Sequence, residues 1–377
     1  MFEQLIAITR NTFFESIRQP IMLVVIVIST LLIILSNPLS AFTMHDDQKM
    51  LIDIGMATVF FSGALLAAFI ATNVLGQEIE NRTVLTVVSK PVGRPLFVIG
   101  KFFGVAGAMA LATLFLSLVF MLAELHSVIQ TVRDPLHLPV LTFGISAGLI
   151  GTAAAIWCNF FYNKVFASSI LCFTTPLLAL AYFFSLLFDH DFVPKSIGDS
   201  FNSQVWLGLI SVLVAIMVLS AIAITASTRL GQVMTLMITI GIFMSGLLSD
   251  WYIGRQMGDM RTVWMERADE LGHVTSVEIE RQVVMVGGEV QSLPLVIKES
   301  AVPLMDMAEG AEVFTYGLWK VCYTVVPNFQ VLWLSDAITQ EHVIPAGYMM
   351  KTSVYGLIYI VFALSVGVIL FQRREVG

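Results

Sequence analysis

The charged residues between Gly76 and Lys101 are the part of this sequence whose types and spacing point most directly to a specific chemistry. The segment reads GQEIENRTVLTVVSKPVGRPLFVIGK, with acidic residues near its start and basic residues toward its end. Acidic side chains are favoured in the first turn of a helix by the helix dipole. A residue that precedes proline, as Lys90 does, disfavours continuation of a helix. The pattern predicts a short helix over 78–89 that offers charge at one end and apolar contact surface beyond it.

Such a helix suits docking to another protein better than bond-making chemistry. A phosphate-binding loop needs the pattern G-x-x-x-x-G-K-[ST], but Gly100-Lys101 is followed by Phe102 and the preceding glycine, Gly93, is too far away. The sequence also offers no pair of carboxylates, histidine cluster or nucleophile that would face an inner cavity. We therefore expect no enzyme activity from the chain by itself. A solvated loop with interfacial side chains is the alternative interpretation of residues 76–101.

The histidines are the other residues whose type invites a chemical hypothesis. Imidazole and the thioether of methionine both suit copper, but no two histidines have ligand spacing such as His-x-x-x-His. Most methionines lie in apolar runs, where they fill hydrophobic interiors. The sequence thus predicts no metal site and no cofactor bound by this chain. All six histidines fall in segments that we predict on the outer side of a membrane: His45, His126, His137, His190, His273 and His342.

The apolar stretches around these residues indicate an all-α polytopic membrane protein. Of the 377 residues, 57% are hydrophobic and only 12% are charged, whereas a soluble domain carries about a quarter charged residues. The mean hydropathy is +0.85. About eight runs reach the ~20 residues that a helix needs to cross a bilayer core. They lie at roughly 20–38, 53–75, 101–124, 139–160, 165–188, 205–227, 232–251 and 347–371.

The distribution of lysine and arginine predicts the orientation of these spans. With the N-terminus inside, every inner segment is basic, whereas the short outer loops hold only Lys49, Arg133 and Lys195. An even number of spans places both termini in the cytosol. The net charge of −7 comes without the basic patches that nucleic acid requires. Mid-span positions are nearly free of the ionisable groups that ion-coupled transporters need.

These patterns divide the chain into four regions. Residues 1–19 are mixed polar and apolar at helical spacing and predict an amphipathic interfacial helix. Residues 20–251 hold seven spans and the cytosolic loop 76–101. Residues 252–346 form an outer segment with a possible β-hairpin at 274–297 and a pair of short interfacial or re-entrant helices at 311–338. Residues 347–377 hold the last span and a cytosolic C-terminus.

Four stretches, taken in chain order, resemble type 2 permeases of ATP-binding-cassette (ABC) exporters. Residues 11–18 resemble the interfacial elbow helix of that family, and 323–330 resemble its outer aromatic-Pro-Asn element before the last span. Residues 371–376 resemble its terminal signature. The nearest branch is that of multi-copper enzyme maturation permeases. The chain departs from the usual six-span core by an extra pair of spans and a longer outer segment. The region between the second and third spans matches at Glu78, Glu80, Thr83, Lys90, Pro91, Arg94, Gly100 and Lys101.

The resemblance implies a permease subunit that moves a substrate, by export, across the bacterial cytoplasmic membrane. It implies a homo- or heterodimer of permeases and a cytosolic ABC ATPase subunit that carries the ATP and Mg. Two alternatives stay open: a secondary transporter, which would need charged residues at mid-span, and a non-transporting assembly or signalling subunit with a permease fold. The residues expected to couple the chain to the partner ATPase are Glu78, Glu80, Arg82, Thr83, Lys90 and Arg94.

Overall fold

Among the residues that the structure describes, eight helical segments are long and apolar enough to cross a membrane, which confirms the prediction of a multi-pass membrane protein. The structure is a computed structural model and describes residues 1–43, 46–80, 93–129, 135–286 and 289–372. Within these ranges the chain separates into two compact units, Met1–Phe243 with Phe329–Gly377 and Met244–Asn328.

Most described residues of the first unit lie in helices. A short helix, α1, precedes the first span, and most spans follow one another through brief turns or loops. The helices are α1 (Phe2–Ile17), α2 (Pro20–Ser40), α3 (Asp47–Glu80), α4 (Arg94–His126), α5 (Leu138–Tyr162), α6 (Phe166–Ser185), α7 (Ile197–Ser200), α8 (Ser203–Ser227), α9 (Gln232–Ser249), α12 (Ser335–Thr339) and α13 (Ala346–Gln372), with a 3-10 turn at Gln330–Leu332.

Helix α4 is central to this unit, because it packs against α1, α2, α3, α5, α6, α8 and α13. The hydrophobic effect does not drive association of helices in lipid, so their association depends on close packing. Small residues allow the helices to approach closely enough for that packing. The helix α3 uses Gly63 in this way: a Cβ there would lie 2.1 Å from Cδ1 of Ile216 on α8. The most apolar windows of α3, α4 and α8 are each 67% buried, so these three helices form the core.

Helices α2, α5 and α13 lie at the periphery, and the most apolar windows of α5 and α13 are only 22% buried. Helix α5 exposes large apolar side chains along its length, including Ile145, Leu149, Ile156 and Phe160. An apolar surface of this extent would be unfavourable in water but is matched by acyl chains in a bilayer. The exposure therefore agrees with the membrane location that the helix lengths indicate.

The expected start of a separate helix at Glu78 is wrong. Helix α3 runs without interruption to Glu80, so Glu78 and Glu80 lie in its last turns. A single glycine, Gly76, does not stop a helix that is otherwise well formed, because its cost is only about 1 kcal/mol relative to alanine.

The second unit combines two helices with a β-hairpin. Helix α10 (Arg255–Glu270) follows a π-helical segment at Asp250–Gly254, and α11 spans Gly310–Val325 after a 3-10 turn at Leu304–Met307. Strands β1 (Val274–Val286) and β2 (Glu289–Ser300) pair antiparallel from Val274 opposite Ser300, with a register shift between Arg281 and Val284.

An ion pair joins the two helices of the second unit. Arg267 of α10 donates from Nη1 and Nη2 to the two carboxylate oxygens of Glu312 on α11, each over 2.8 Å. The indole Nε1 of Trp264, which is buried, donates to the same carboxylate over 3.0 Å. Hydrogen bonds from Arg267, from the Glu309 backbone and from Trp264 lower the pKa of Glu312 to about 2. Two-point recognition of this kind fixes orientation as well as contributing energy.

We predict that the second unit loses stability in acid through Glu312. Because the pKa of Glu312 is depressed from 4.5 to about 2, its contribution is full above pH 4.5 and is lost as the pH falls toward 2. Hydrogen exchange of the α10 and α11 amides, corrected for intrinsic rates, should therefore show wild-type protein better protected than Glu312→Gln at pH 7. The difference should shrink between pH 4.5 and 2.

The matched control is Glu266→Gln, which alters an exposed glutamate on α10. This variant should be protected like wild type at every pH. A constant difference between wild type and Glu312→Gln across the acid range would contradict the assignment.

Candidate functional site

Helix α1 is docked on the beginning of α4 by polar contacts and by a glycine. The Lys101 ammonium is only 2% exposed and lies 3.3 Å from the carboxylate of Glu15 on α1. Thr9 Oγ1 donates to the Gly100 carbonyl over 3.3 Å. At Gly104 an added Cβ would lie 2.4 Å from Cβ of Thr12. A buried ammonium is tolerated when it is paired, so α1 is an integral part of the bundle at this end.

Three amides at the same end of the unit form a second polar cluster. Asn73 Nδ2 donates to Gln19 Oε1 over 3.2 Å, and Gln232 Nε2 donates to Asn73 Oδ1. The cluster joins the α1–α2 junction, α3 and the start of α9. Polar side chains within an apolar bundle need such partners because lipid offers none. A cleft of about 670 Å³ opens beside it, lined by Asn11, Glu15, Arg18, Gln19, Pro20, Ile21 and Asn73.

Two arginines bind the end of the last span. Arg94 Nη1 donates to the Gln372 carbonyl over 2.7 Å, and Arg229 Nε donates to the Leu370 carbonyl over 2.9 Å. The rings of Phe97 and Phe371 stack at 5.8 Å between centroids. The last carbonyls of a helix lack partners within it, and cations there also oppose the dipole. These residues therefore hold the C-terminal end of α13 against α4 and α8.

We call this part of the first unit the polar end and define it by Glu15, Gln19, Asn73, Arg94, Lys101, Arg229 and Gln232. It contains one of the six predicted coupling residues, Arg94. Asn73 lies on α3 at this end, and Glu78 and Glu80 lie beyond it in the last turns of the same helix. The other three predicted residues, Arg82, Thr83 and Lys90, lie outside the described residues. The sequence did not predict the polar contacts of Gln19, Asn73 and Gln232, because these three amide side chains form no recognisable motif.

A histidine cluster lies at the other end of α4. This helix has 33 residues and is therefore about 50 Å long at 1.5 Å per residue. His126 is its last residue, His137 precedes α5, and His190 lies in the loop after α6. The rings of His137 and His190 are 4.9 Å apart between centroids, and His190 Nε2 lies 3.7 Å from Asp189 Oδ1.

The loop that carries Asp189 and His190 is held by its own backbone. The Asp189 N–H donates to the Val193 carbonyl over 2.8 Å, and the Lys195 N–H donates to the Leu187 carbonyl over 2.9 Å. The His190 carbonyl accepts from the Leu138 N–H at the start of α5 over 3.1 Å. The positions of His137 and His190 are thus fixed relative to each other by the main chain.

The imidazole of His137 is kept neutral, and two other imidazoles of this cluster have buried nitrogens without a hydrogen-bond partner among the described residues. Burial, together with the neighbouring His190 and His126, lowers the pKa of His137 to about 4. The Nδ1 atoms of His126 and His190 are buried and have no hydrogen-bond partner among the residues that the structure describes. Sequence analysis missed this cluster because its histidines are far apart in the chain. The only available signal was their shared placement in predicted outer segments.

The fold and these two clusters define a multi-pass α-helical membrane protein with eight apolar helices long enough to span a bilayer. Polar contacts between its helices occur at both ends of α4 and also between spans, as between Ser29 and Ser62. Comparison with protein-family models, with curated proteins and with solved structures finds no match for the chain.

We predict that Gly104→Ala loosens the docking of α1 on α4. The added methyl would overlap Thr12, and overpacking of this kind costs about 1–3 kcal/mol. Gly148→Ala on α5 is the matched control, because an added Cβ there meets nothing within 4 Å. Thermal unfolding of the purified variants in detergent should show a lower midpoint for Gly104→Ala only. Equal midpoints for the two variants would contradict the close approach of α1.

Proposed function

We propose that the chain is the membrane-spanning permease subunit of an ABC transporter, and that it exports a substrate across the bacterial cytoplasmic membrane. A separate cytosolic ATPase subunit carries the ATP and Mg²⁺ and docks at the polar end, and two permease chains, identical or different, form the transport path. One observation carries the proposal: polar contacts at the polar end join α1, α3, α4, α8, α9 and α13, next to the connection between α3 and α4. The resemblance of four segments to type 2 permeases supports the same assignment.

The connection between α3 and α4 is a suitable place for a motor to act. Both helices belong to the core of the first unit, and both pack against α8. A displacement at Glu80 or Arg94 would therefore reach the most buried helices directly. Transporters change access by rigid-body rocking of helix groups, so docking at this position gives an outside ATPase mechanical leverage.

The charge distribution supports a cytosolic location for the polar end. Arg94, Lys101 and Arg229 lie there, and positively charged residues favour the cytosolic side of a membrane. The hydrogen bond from Arg94 to the Gln372 carbonyl brings the end of the last span to the end of the bundle where α1 docks. Termini on one side agree with an even number of spans.

A secondary transporter is the second candidate, and the partners of the ionisable side chains in α3 and α4 weigh against it. Asp53 accepts from the Ser335 hydroxyl, and Glu124 accepts from Asn202 Nδ2 over 3.0 Å. Both carboxylates lie within about two turns of a helix end. Ion-coupled transport requires ionisable groups that bind or relay the ion deep in the membrane, and these two positions are shallow.

The direct test is purification of the tagged chain from its native host, followed by identification of a co-purifying ATPase. In proteoliposomes the pair should hydrolyse ATP faster than the ATPase alone. The double variant Glu78→Lys/Glu80→Lys should bind the ATPase at least about tenfold more weakly, a change equivalent to about 1.4 kcal/mol. Reversal of interfacial charges is expected to act mainly through the contacts that they make with the partner.

The matched control is Asp46→Lys, which reverses an exposed charge next to the opposite end of α3. It should leave binding and stimulation of the ATPase unchanged. Single cysteines placed at 85 in a chain without its native cysteines should react only with reagents that reach the cytosol. Labelling of that position from outside, or transport without any nucleotide-hydrolysing partner, would refute the proposal.

A further inference from the structure

The histidine cluster has the composition of a transition-metal site. The possible ligand atoms of His137, Asp189 and His190 all lie within 4.8 Å of one another. Zn²⁺ prefers four ligands drawn from histidine, cysteine and carboxylate groups, and water takes the fourth position in many sites. Two imidazoles and one carboxylate supply the three protein ligands of such a site.

An unsatisfied nitrogen is the second reason to place an ion there. Buried polar atoms in proteins almost always have a partner, yet the Nδ1 atom of His190 finds none among the described residues. An electron-pair acceptor bound at this nitrogen would supply the missing partner.

The ligand atoms lie somewhat farther apart than in a zinc-bound site. With Zn–N distances of 2.0–2.1 Å, the ligand atoms of a tetrahedral site lie about 3.3 Å apart. The ligand atoms of His137, Asp189 and His190 lie within 4.8 Å of one another. The remaining gap closes by rotation of side chains, because the main chain already fixes the loop against α5.

Binding of zinc would cost His137 one hydrogen bond. Its Nδ1 accepts a hydrogen bond from the Val140 N–H over 3.4 Å, which is long for such a bond. An imidazole that binds a metal through one nitrogen carries its proton on the other, so coordination through either atom ends this acceptor role. The long distance makes the loss small.

We propose that His137, Asp189 and His190 form a binding site for one Zn²⁺ ion per chain. The ion joins the start of α5 and the loop after α6, and it is accessible to solvent through the partly exposed Asp189 and His190. The site stands independently of the proposed transport function and of the orientation of the chain, because it rests only on contacts within the first unit.

The test is binding of zinc to the full-length protein in detergent after removal of metals with a chelator. Titration calorimetry with ZnCl₂ and elemental analysis after desalting should show one equivalent per chain, and MgCl₂ should show no binding. Zinc should also raise the unfolding temperature. The variant His190→Ala should weaken zinc binding at least about tenfold, as the loss of a ligand does.

Two further variants separate a lost ligand from a lost fold. His137→Asn keeps a side-chain acceptor for the Val140 N–H at the start of α5, so it should fold like wild type without zinc and bind zinc at least about tenfold more weakly. His342→Ala, which lies outside the cluster, should bind zinc like wild type. Absence of stoichiometric zinc in the reloaded wild-type protein, or equal affinity in His137→Asn and wild type, would overturn the proposal.

Discussion

The helix from Arg94 to His126 sets the constraint on which the first unit depends, because it crosses the whole bundle and must find partners for polar groups at both of its ends. At one end Lys101 is buried against Glu15. At the other, His126 joins a group of imidazoles around His137. Between them, small residues and apolar side chains let seven other helices pack on it. Lipid cannot hydrogen-bond to exposed groups, so the polar groups at these two levels take their partners from the protein.

This separation gives the two ends different mechanical properties. At the polar end, side chains from α1, α3, α4, α8, α9 and α13 are linked by single hydrogen bonds or ion pairs. These links are made by side chains that lie on separate helices. At the histidine end, main-chain hydrogen bonds fix the loop that carries His190 against the beginning of α5. The first arrangement suits a surface that receives movement, and the second suits a site that holds its ligands in place.

Sequence patterns predicted the spans because crossing a bilayer imposes a length of about 20 apolar residues, which is visible in any single segment. They did not predict where α3 ends, since helix continuation past Gly76 depends on context rather than on one residue. They also could not predict the histidine cluster or the contact between Arg94 and the Gln372 carbonyl. Those contacts join residues whose proximity is created by the packing of separate helices.

The pairing of Glu15 with Lys101 also bears on how the chain is made. Glu15 emerges from the ribosome before its partner, which follows 86 residues later. During that interval α2 and α3 are synthesised, while α1 has yet to meet the surface on which it docks. Burial of the Lys101 ammonium is favourable only with its partner carboxylate in place. The carboxylate is therefore made before the helix whose buried charge it neutralises.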